Sequence, residues 1–329
     1  MEKLVVDLQE WYIHNQRDLP FRTTREPYAI WVSEIMAQQT RIDTMIPYYL
    51  RWMTKWPTIN DLAHAPIEDV LKMWEGLGYY NRARKLHEAA FRLATDYNGR
   101  FPTEHAEILA LPGIGPYTAA AIASIALDLP YPAVDGNVLR VVSRLKCIEE
   151  DIAKPAVVAR VTEIMQVWIN QGTPRIFTQA MMELGALICL PSTPKCAVCP
   201  LQVDCQAFTE NRQTEFPVKK SKVAVPSEHY DCYFIRNSEG LIALTLENDD
   251  GLMNGYYRFP QKKSFNRDQL SEINFNVHVK HVFSHKIWEI DFYTAENIDN
   301  NDDYIWVSEE RLNELPLITA HRKWYKKQQ

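Results

Sequence analysis

Two features that would classify this chain at once are missing: a long apolar run and a surplus of positive charge. No stretch of its 329 residues is long and apolar enough to span a bilayer. The N-terminal MEKLVVDLQEWYIHNQ carries its apolar residues at Leu4, Val5, Leu8, Trp11 and Tyr12, which is helical spacing rather than the unbroken core of an export signal. A membrane partner is therefore not expected. The formal net charge of -6 gives no sign of nucleic acid, because DNA-binding chains often carry excess Lys and Arg. Internal repeats and low-complexity tracts are absent too. Six cysteines without an export signal indicate a reducing compartment, where clustered thiols bind metal more often than they pair as disulfides. The cytoplasm is the expected location.

What is present is a hydrophobic content of 46%, enough for real cores, in a length that suits two domains. Residues 1–208 read as successive helices with 3.6-residue periodicity, punctuated at Leu19-Pro20, Trp56-Pro57, Phe101-Pro102, Pro112-Gly113 and Pro130. Residues 209–228 are polar, with Lys219, Lys220 and Lys222, and read as a linker. Beyond it HYDCYFIR, LIALTL, FNVHVKHVF and WEIDFYTA read as strands, NSEG as a turn, and Ser308 as the N-cap of a helix in VSEERLNEL. The expected fold is mainly α: a helical domain, 1–208, then a smaller α+β domain, 229–329.

Three stretches could carry chemistry. Cys189, Cys196, Cys199 and Cys205 fall within one loop, 189–205, with no histidine nearby. Zinc ribbons usually pair two C-x2-C knuckles and this loop has one, so a 4Fe-4S cluster suits it better, with zinc as the alternative. In LALPGIGPYTAAAIASIAL, Gly113 and Gly115 allow a tight hairpin between two helices, with Pro116 at the first helical position. Its N–H groups would welcome a phosphate; otherwise it is a plain turn. VDGNVLRVVSRL starts with Asp135 where a loop enters a helix, the place of an N-cap. Glu34, in WVSEIMAQQT, is either a solvated helical carboxylate or, between Trp31, Ile35 and Met36, a carboxyl whose burial keeps its proton near neutral pH.

Together, LPGIGPYTAA, VDGNVLRV and the four-cysteine loop resemble the helix-hairpin-helix base-excision DNA glycosylases. Within them SEIMAQQT, GLGYYNRARKL, the Tyr after GIGP and a C-terminal domain containing HVFSHKIWE resemble the MutY-type adenine DNA glycosylases, and the resemblance covers nearly the whole chain. It implies a helix-hairpin-helix domain with a 4Fe-4S loop, then a MutT-like (Nudix-like) domain. It also implies excision of adenine opposite 8-oxoguanine or guanine in double-stranded DNA, by a monomer, in a bacterial cytoplasm beside the nucleoid.

By that match Glu34 is the acid that protonates adenine at N7, and Asp135 the anion that supports positive charge at the sugar C1′, as in glycoside cleavage. The sequence environments are expected to push the two carboxyl pKa values apart. Tyr117 and Asn137 match residues near the sugar, Arg22 and Gln179 residues of the adenine pocket, and Gln38, Gln39 and Tyr79 residues that probe the base pair. Related lyases hold a lysine at position 117, and a phenol cannot form their imine, which speaks against a bifunctional endonuclease III-like enzyme. A non-catalytic iron-sulfur DNA-binding protein would not need both Glu34 and Asp135. Phe21 replaces the family's usual Trp and Ala37 its usual Leu, changing volume near the pocket.

The MutT-like domain lacks a REXXEE-type run of acids, so a binding role is expected, with Phe283, Ser284 and His285 matching the element that senses 8-oxoguanine. His278 would face away from His281, which disfavours a metal site among the histidines of that strand. The acidic net charge is compatible with DNA because residues 1–228 hold 24 Lys and Arg against 26 Asp and Glu, leaving most of the excess acid beyond them. The cluster then serves as frame, fixing Lys195 as a phosphate contact.

Overall fold

The computed structural model describes residues 3–219, 225–247, 252–262, 273–283, 286–298 and 303–328. Its helices are α1 (Lys3–Asn15), α2 (Pro27–Ala37), α3 (Ile42–Lys55), α4 (Ile59–Ala63), α5 (Ile67–Trp74), α6 (Asn81–Asp96), α7 (His105–Leu109), α8 (Pro116–Ile125), α9 (Gly136–Leu145), α10 (Pro155–Ile169), α11 (Pro174–Leu187) and α12 (Gln206–Thr209). After them come strands β1 (Ser227–Asn237), β2 (Ile242–Leu244), β3 (Gln261–Lys262), β4 (Asn274–Val282), β5 (Ile287–Ile298) and β6 (Ile305–Val307), then α13 (Glu309–Glu314) and α14 (Thr319–Tyr325). Two compact units result, 1–63 with 88–221, and 64–87 with 222–329.

In the first unit, α1, α9, α10 and α11 close around Leu8, Val142, Val161, Met165, Phe177 and Met181. The helices α2 and α8 are apolar nearly all round, as buried helices are. All of Thr118–Ile125 is buried, and the alanines at 119, 120, 121 and 123 let α2 come close. Pro116 occupies the first turn of α8, and Gly113 turns the hairpin before it at φ +73°, a conformation that suits glycine. At Gly185 α11 crosses α9 so tightly that an added Cβ would stand 2.5 Å from Asn137 Cβ.

The second unit is built on a mixed sheet in the order β4-β5-β1-β2-β6, with β3 paired to β1. The β1–β5 pair is parallel, with His229 opposite Glu289 and Asp231 opposite Asp291; the β4–β5 pair is antiparallel, with His278 opposite Asp291. One face buries Tyr233, Ile235, Ala243 and Ala295. The other packs Phe234 against Phe259 and stacks Phe292 on Trp324, with ring centres 4.6 Å apart in the second pair. Ser308 caps α13 by accepting from the Arg311 N–H, as its sequence position predicts.

Two boundaries differ from those read in the sequence. Residues 64–87, placed there within 1–208, belong to the second unit: Tyr256 Oη donates to Leu71 O at 2.8 Å and Arg322 Nε to Glu75 Oε1 at 2.7 Å. Periodicity identifies a helix but not the core its apolar face enters. The segment read as a linker starts as part of the first unit, where Phe216 is buried and the Ile152 N–H donates to Val218 O. Lys220 and Lys222, and nearly all of the helix candidate DQLSEI, fall outside the described residues.

Candidate active site

A cleft of about 620 Å³ opens in the first unit, lined by Arg22, Glu34, Gln38, Gln39, Tyr117, Asp135, Asn137 and Gln179 among the residues singled out from the sequence; Tyr79, Gly113, Gly115 and the four cysteines are not part of its lining. Glu34 reaches it from α2, Tyr117 from the first turn of α8, Asp135 and Asn137 from the start of α9, and Gln179 from α11. Tyr117 Oη donates to Glu34 Oε2 at 2.7 Å. Burial pushes the Glu34 carboxyl up to about 7; the phenol's hydrogen bond opposes the rise, the Asp135 charge adds to it and Arg22 opposes it. Burial also lifts Tyr117 well above the usual phenol range, so it stays a neutral donor.

Asp135 is held differently. It caps α9, with Oδ1 accepting from the Val138 N–H and Oδ2 from Asn137 Nδ2, both at 2.7 Å. Its carboxyl too is raised, by burial, against those hydrogen bonds and the Arg140 charge. The two environments therefore do not push in opposite directions, as expected from sequence. Hydrogen bonding separates them instead: Asp135 accepts bonds that favour the anion, while Glu34 keeps its proton up to about pH 7.

Arg22 lines the cleft with its guanidinium committed to Glu183, donating to Oε1 at 2.8 Å and Oε2 at 2.6 Å. Arg17 donates to the same carboxylate at 3.0 and 2.7 Å. Burial pushes Glu183 up, but the hydrogen bonds from Arg22 and Arg17 outweigh it and hold the carboxyl at about 2. Sequence reasoning missed Glu183 and Arg17. The available signal was a lone carboxylate in MMELGAL, at a position facing the apolar core of α11. Glu183→Gln is expected to lower stability by about 3 kcal/mol at pH 7, the lower end for a broken buried pair because Arg17 is partly exposed. The folded pKa lies below the ordinary 4.5, so this stabilisation is present above pH 4.5 and disappears as pH falls through about 2. Urea unfolding of both proteins at pH 7 and pH 3 checks it: the gap should narrow at the lower pH.

Gln179 is buried, its Nε2 donating to Arg175 O at 3.2 Å. Gln38 donates to Thr118 Oγ1 at 3.1 Å at the cleft rim, and Gln39 beside it is exposed at φ +57°. Phe21 and Ala37 both line the cleft, and the Phe21 ring meets Tyr49 edge-on. Gly113 and Gly115 are exposed; Gly115 is the N-cap of α8, offers no side-chain cap, and has nothing within 4 Å of an added Cβ. The α8 N-terminus is thus a bare patch of backbone N–H groups, suited to an anion.

Four expected contact residues lie in the second unit or outside the described residues. Tyr79 belongs to that unit, is 46% exposed and adopts φ +47°, with the Arg82 guanidinium over its ring. Phe283 packs edge-on against His281 and Trp288. Ser284 and His285 lie outside the described residues.

The cysteine loop is tied to α9 through two arginines that the sequence reading did not single out. Arg140 donates to Cys189 O at 2.8 Å, to Gly185 O at 2.7 Å and to Asn137 Oδ1 at 2.9 Å. Arg144, fully buried, donates to Leu190 O and Pro191 O at 2.7 Å and to Cys189 Sγ at 3.3 Å. Asp135, Asn137 and Cys189 therefore form one hydrogen-bonded chain. Burial pushes the Cys199 thiol up to about 12.

Comparison with known proteins agrees with this arrangement. The HhH-GPD superfamily base excision DNA repair protein family matches residues 32–167, and the NUDIX domain family residues 232–327. An adenine DNA glycosylase of Arabidopsis thaliana is 36% identical over 98% of this chain and 56% of its own length. One from Buchnera aphidicola subsp. Baizongia pistaciae is 33% identical over 96% of this chain and 88% of its own length. The chain thus spans little more than half of the plant relative. A solved structure of a thermostable thymine-DNA glycosylase aligns with a TM-score of 0.56 at 29% identity, covering 63% of this chain and 95% of that one. With the hairpin, the paired carboxyls and both domain matches in one sequence, the chain belongs to the adenine DNA glycosylase family.

Proposed function

We propose that the protein is a monofunctional DNA glycosylase that hydrolyses the N-glycosidic bond of adenine opposite 8-oxoguanine or guanine, once the base has left the helix. The observation that carries this reading is the pair of carboxyls in one cleft: Glu34, protonated up to about pH 7, and Asp135, whose anion is held by an N–H and an amide. Glu34 delivers a proton to adenine N7 and, once ionised, helps activate water. Asp135 supports the positive charge that develops at C1′ as the bond to the base lengthens. Tyr117 fixes the Glu34 carboxyl and cannot form an imine. Among the described residues that line the cleft there are arginines but no lysine, which supports hydrolysis over imine chemistry.

The α8 N-terminus, with Gly113 and Gly115, would take a DNA phosphate. Phe283, Ser284 and His285 would read the partner base, with Gln38, Gln39 and Tyr79 probing the pair. Cys189, Cys196, Cys199 and Cys205 would hold a 4Fe-4S cluster. The four thiols lie on one loop with a single C-x2-C knuckle, where zinc ribbons usually pair two, and this supports the cluster over zinc. When bound, the cluster supplies a rigid centre for the loop, and no step of glycosidic cleavage needs its electrons. The protein would act as a monomer in the cytoplasm, at the nucleoid.

Single-turnover assays on duplexes with A opposite 8-oxoguanine and A opposite guanine, developed with and without alkali, test the reading. Strand breaks are expected only after alkali, and sooner on the 8-oxoguanine duplex. Breaks without alkali would make the protein a lyase, and unbroken strands after alkali would leave a non-catalytic DNA binder. Metal analysis of anaerobically purified protein should find about four irons per chain.

A further inference from the structure

Near the start of β1, the sheet face that buries Tyr233 and Ile235 becomes more exposed and carries a set of side chains unrelated to adenine excision. On one face of β1, β5 and β4 the register brings Asp231, Asp291 and His278 into one row, with His229 and Glu289 in the next. His229 Nε2 stands 3.4 Å from Asp291 Oδ2 and 3.6 Å from Asp231 Oδ1. Charge-assisted hydrogen bonds close to about 2.7–2.9 Å, so these separations are long for direct pairing. They match the edge of a tetrahedron, because nitrogen and oxygen ligands about 2.1 Å from a zinc-type ion lie about 3.4 Å apart. The three ligand atoms all fall within 4.8 Å of one another.

The neighbours hold the carboxylates in place. His278 Nδ1 lies 2.7 Å from Asp291 Oδ1 and its Nε2 2.9 Å from Glu289 Oε2. Asp291 is thereby oriented through one oxygen with the other turned to His229, which is how an outer partner fixes a metal-binding carboxylate. Lys280 pairs with Glu289 at 3.1 Å and so keeps that carboxylate out of the ligand set. The His229 side chain is 53% exposed, so a bound ion could complete its coordination with water.

We propose that His229, Asp231 and Asp291 form a binding site for one divalent ion of the zinc class, oriented by His278. One imidazole with two carboxylates suits zinc or manganese better than magnesium, which prefers oxygen and water alone. The ion would tie β1 to β5, the two strands at the centre of this part of the sheet. The ligands come from strands 60 residues apart, which is why sequence inspection of the β4 histidines alone did not find them.

The test uses the full-length, iron-loaded protein, dialysed against ZnCl2 and separately against MgCl2, with metal per chain measured after gel filtration. Wild type should hold one zinc more than His229→Ala, and neither should retain magnesium. Zinc taken up at the cysteine loop is common to both proteins and cancels in the difference. His278→Gln should weaken zinc affinity by about tenfold, the effect of losing an outer partner. Adenine excision should be unchanged in these variants, which also reports that they are folded; Asp231→Asn replaces His229→Ala if the latter is not. Equal zinc in the wild type and the folded variant would overturn the assignment, as would wild-type protein that binds no zinc.

Discussion

Replacing Glu34 by glutamine is expected to slow single-turnover excision by about 10²–10⁴-fold, the range for loss of a positioned general acid. Glutamine keeps the shape and can still accept the Tyr117 Oη hydrogen bond, so DNA affinity should change little. What is lost is the proton. Because the Glu34 carboxyl titrates at about 7, the wild-type rate should be highest below that pH and fall as pH rises through it. The residual rate of the variant should lack that inflection. Stability carries an independent signature. The folded pKa is raised above the ordinary 4.5, so protonated Glu34 costs nothing below pH 4.5, and stability is lost as pH rises through about 7. Glu34→Gln removes that loss and should unfold at higher urea than wild type at pH 8. Equal excision rates in the two proteins would show that Glu34 is not the acid. A matching rise in stability without loss of rate would make it a merely buried carboxyl.

Much of the site was legible because its parts are local. A hairpin turned by Gly113, a helix started by Pro116 and a cap at Asp135 are each decided within a few residues, and each stands where its sequence position predicts. The strands around Tyr233 and Phe292 were legible for the same reason, although only β5 alternates in burial; β1 is buried on both faces from Cys232 to Ile235. Pairings between distant segments were not. The Glu183 carboxylate meets Arg17 and Arg22 across more than 160 residues, and nothing near MMELGAL names its partners. Arg140 and Arg144 are one helical turn apart on α9, which reads equally well as a solvated basic stripe, yet both point at the backbone around Cys189. Burial was misjudged at Asp135 as well: a loop-to-helix position suggests solvent, whereas the cleft removes enough water to raise its carboxyl.

Asp135→Asn separates a structural from a chemical role, and the second large effect is expected there. Asparagine caps a helix about as well as aspartate, and its amide oxygen can still accept from the Val138 N–H. The second oxygen becomes an NH2 facing Asn137 Nδ2, so that hydrogen bond is lost, at about 1 kcal/mol of stability. If Asp135 were only a cap, the rate would follow that small change. In the proposed role of anion beside C1′ it should matter far more, because a preorganised charge aimed at the transition state contributes about 10²–10³-fold in rate. The pH profile adds a reading that a structural role would not move. The Asp135 charge is one of the causes that raise Glu34, so its removal should shift the inflection near pH 7 to lower pH. Single-turnover rates across pH 5–9, at one salt concentration and saturating DNA, measure both effects. A variant with near wild-type rate and an unmoved inflection would reduce Asp135 to the N-cap of α9, and the charge opposite the sugar would have to come from another residue of the cleft.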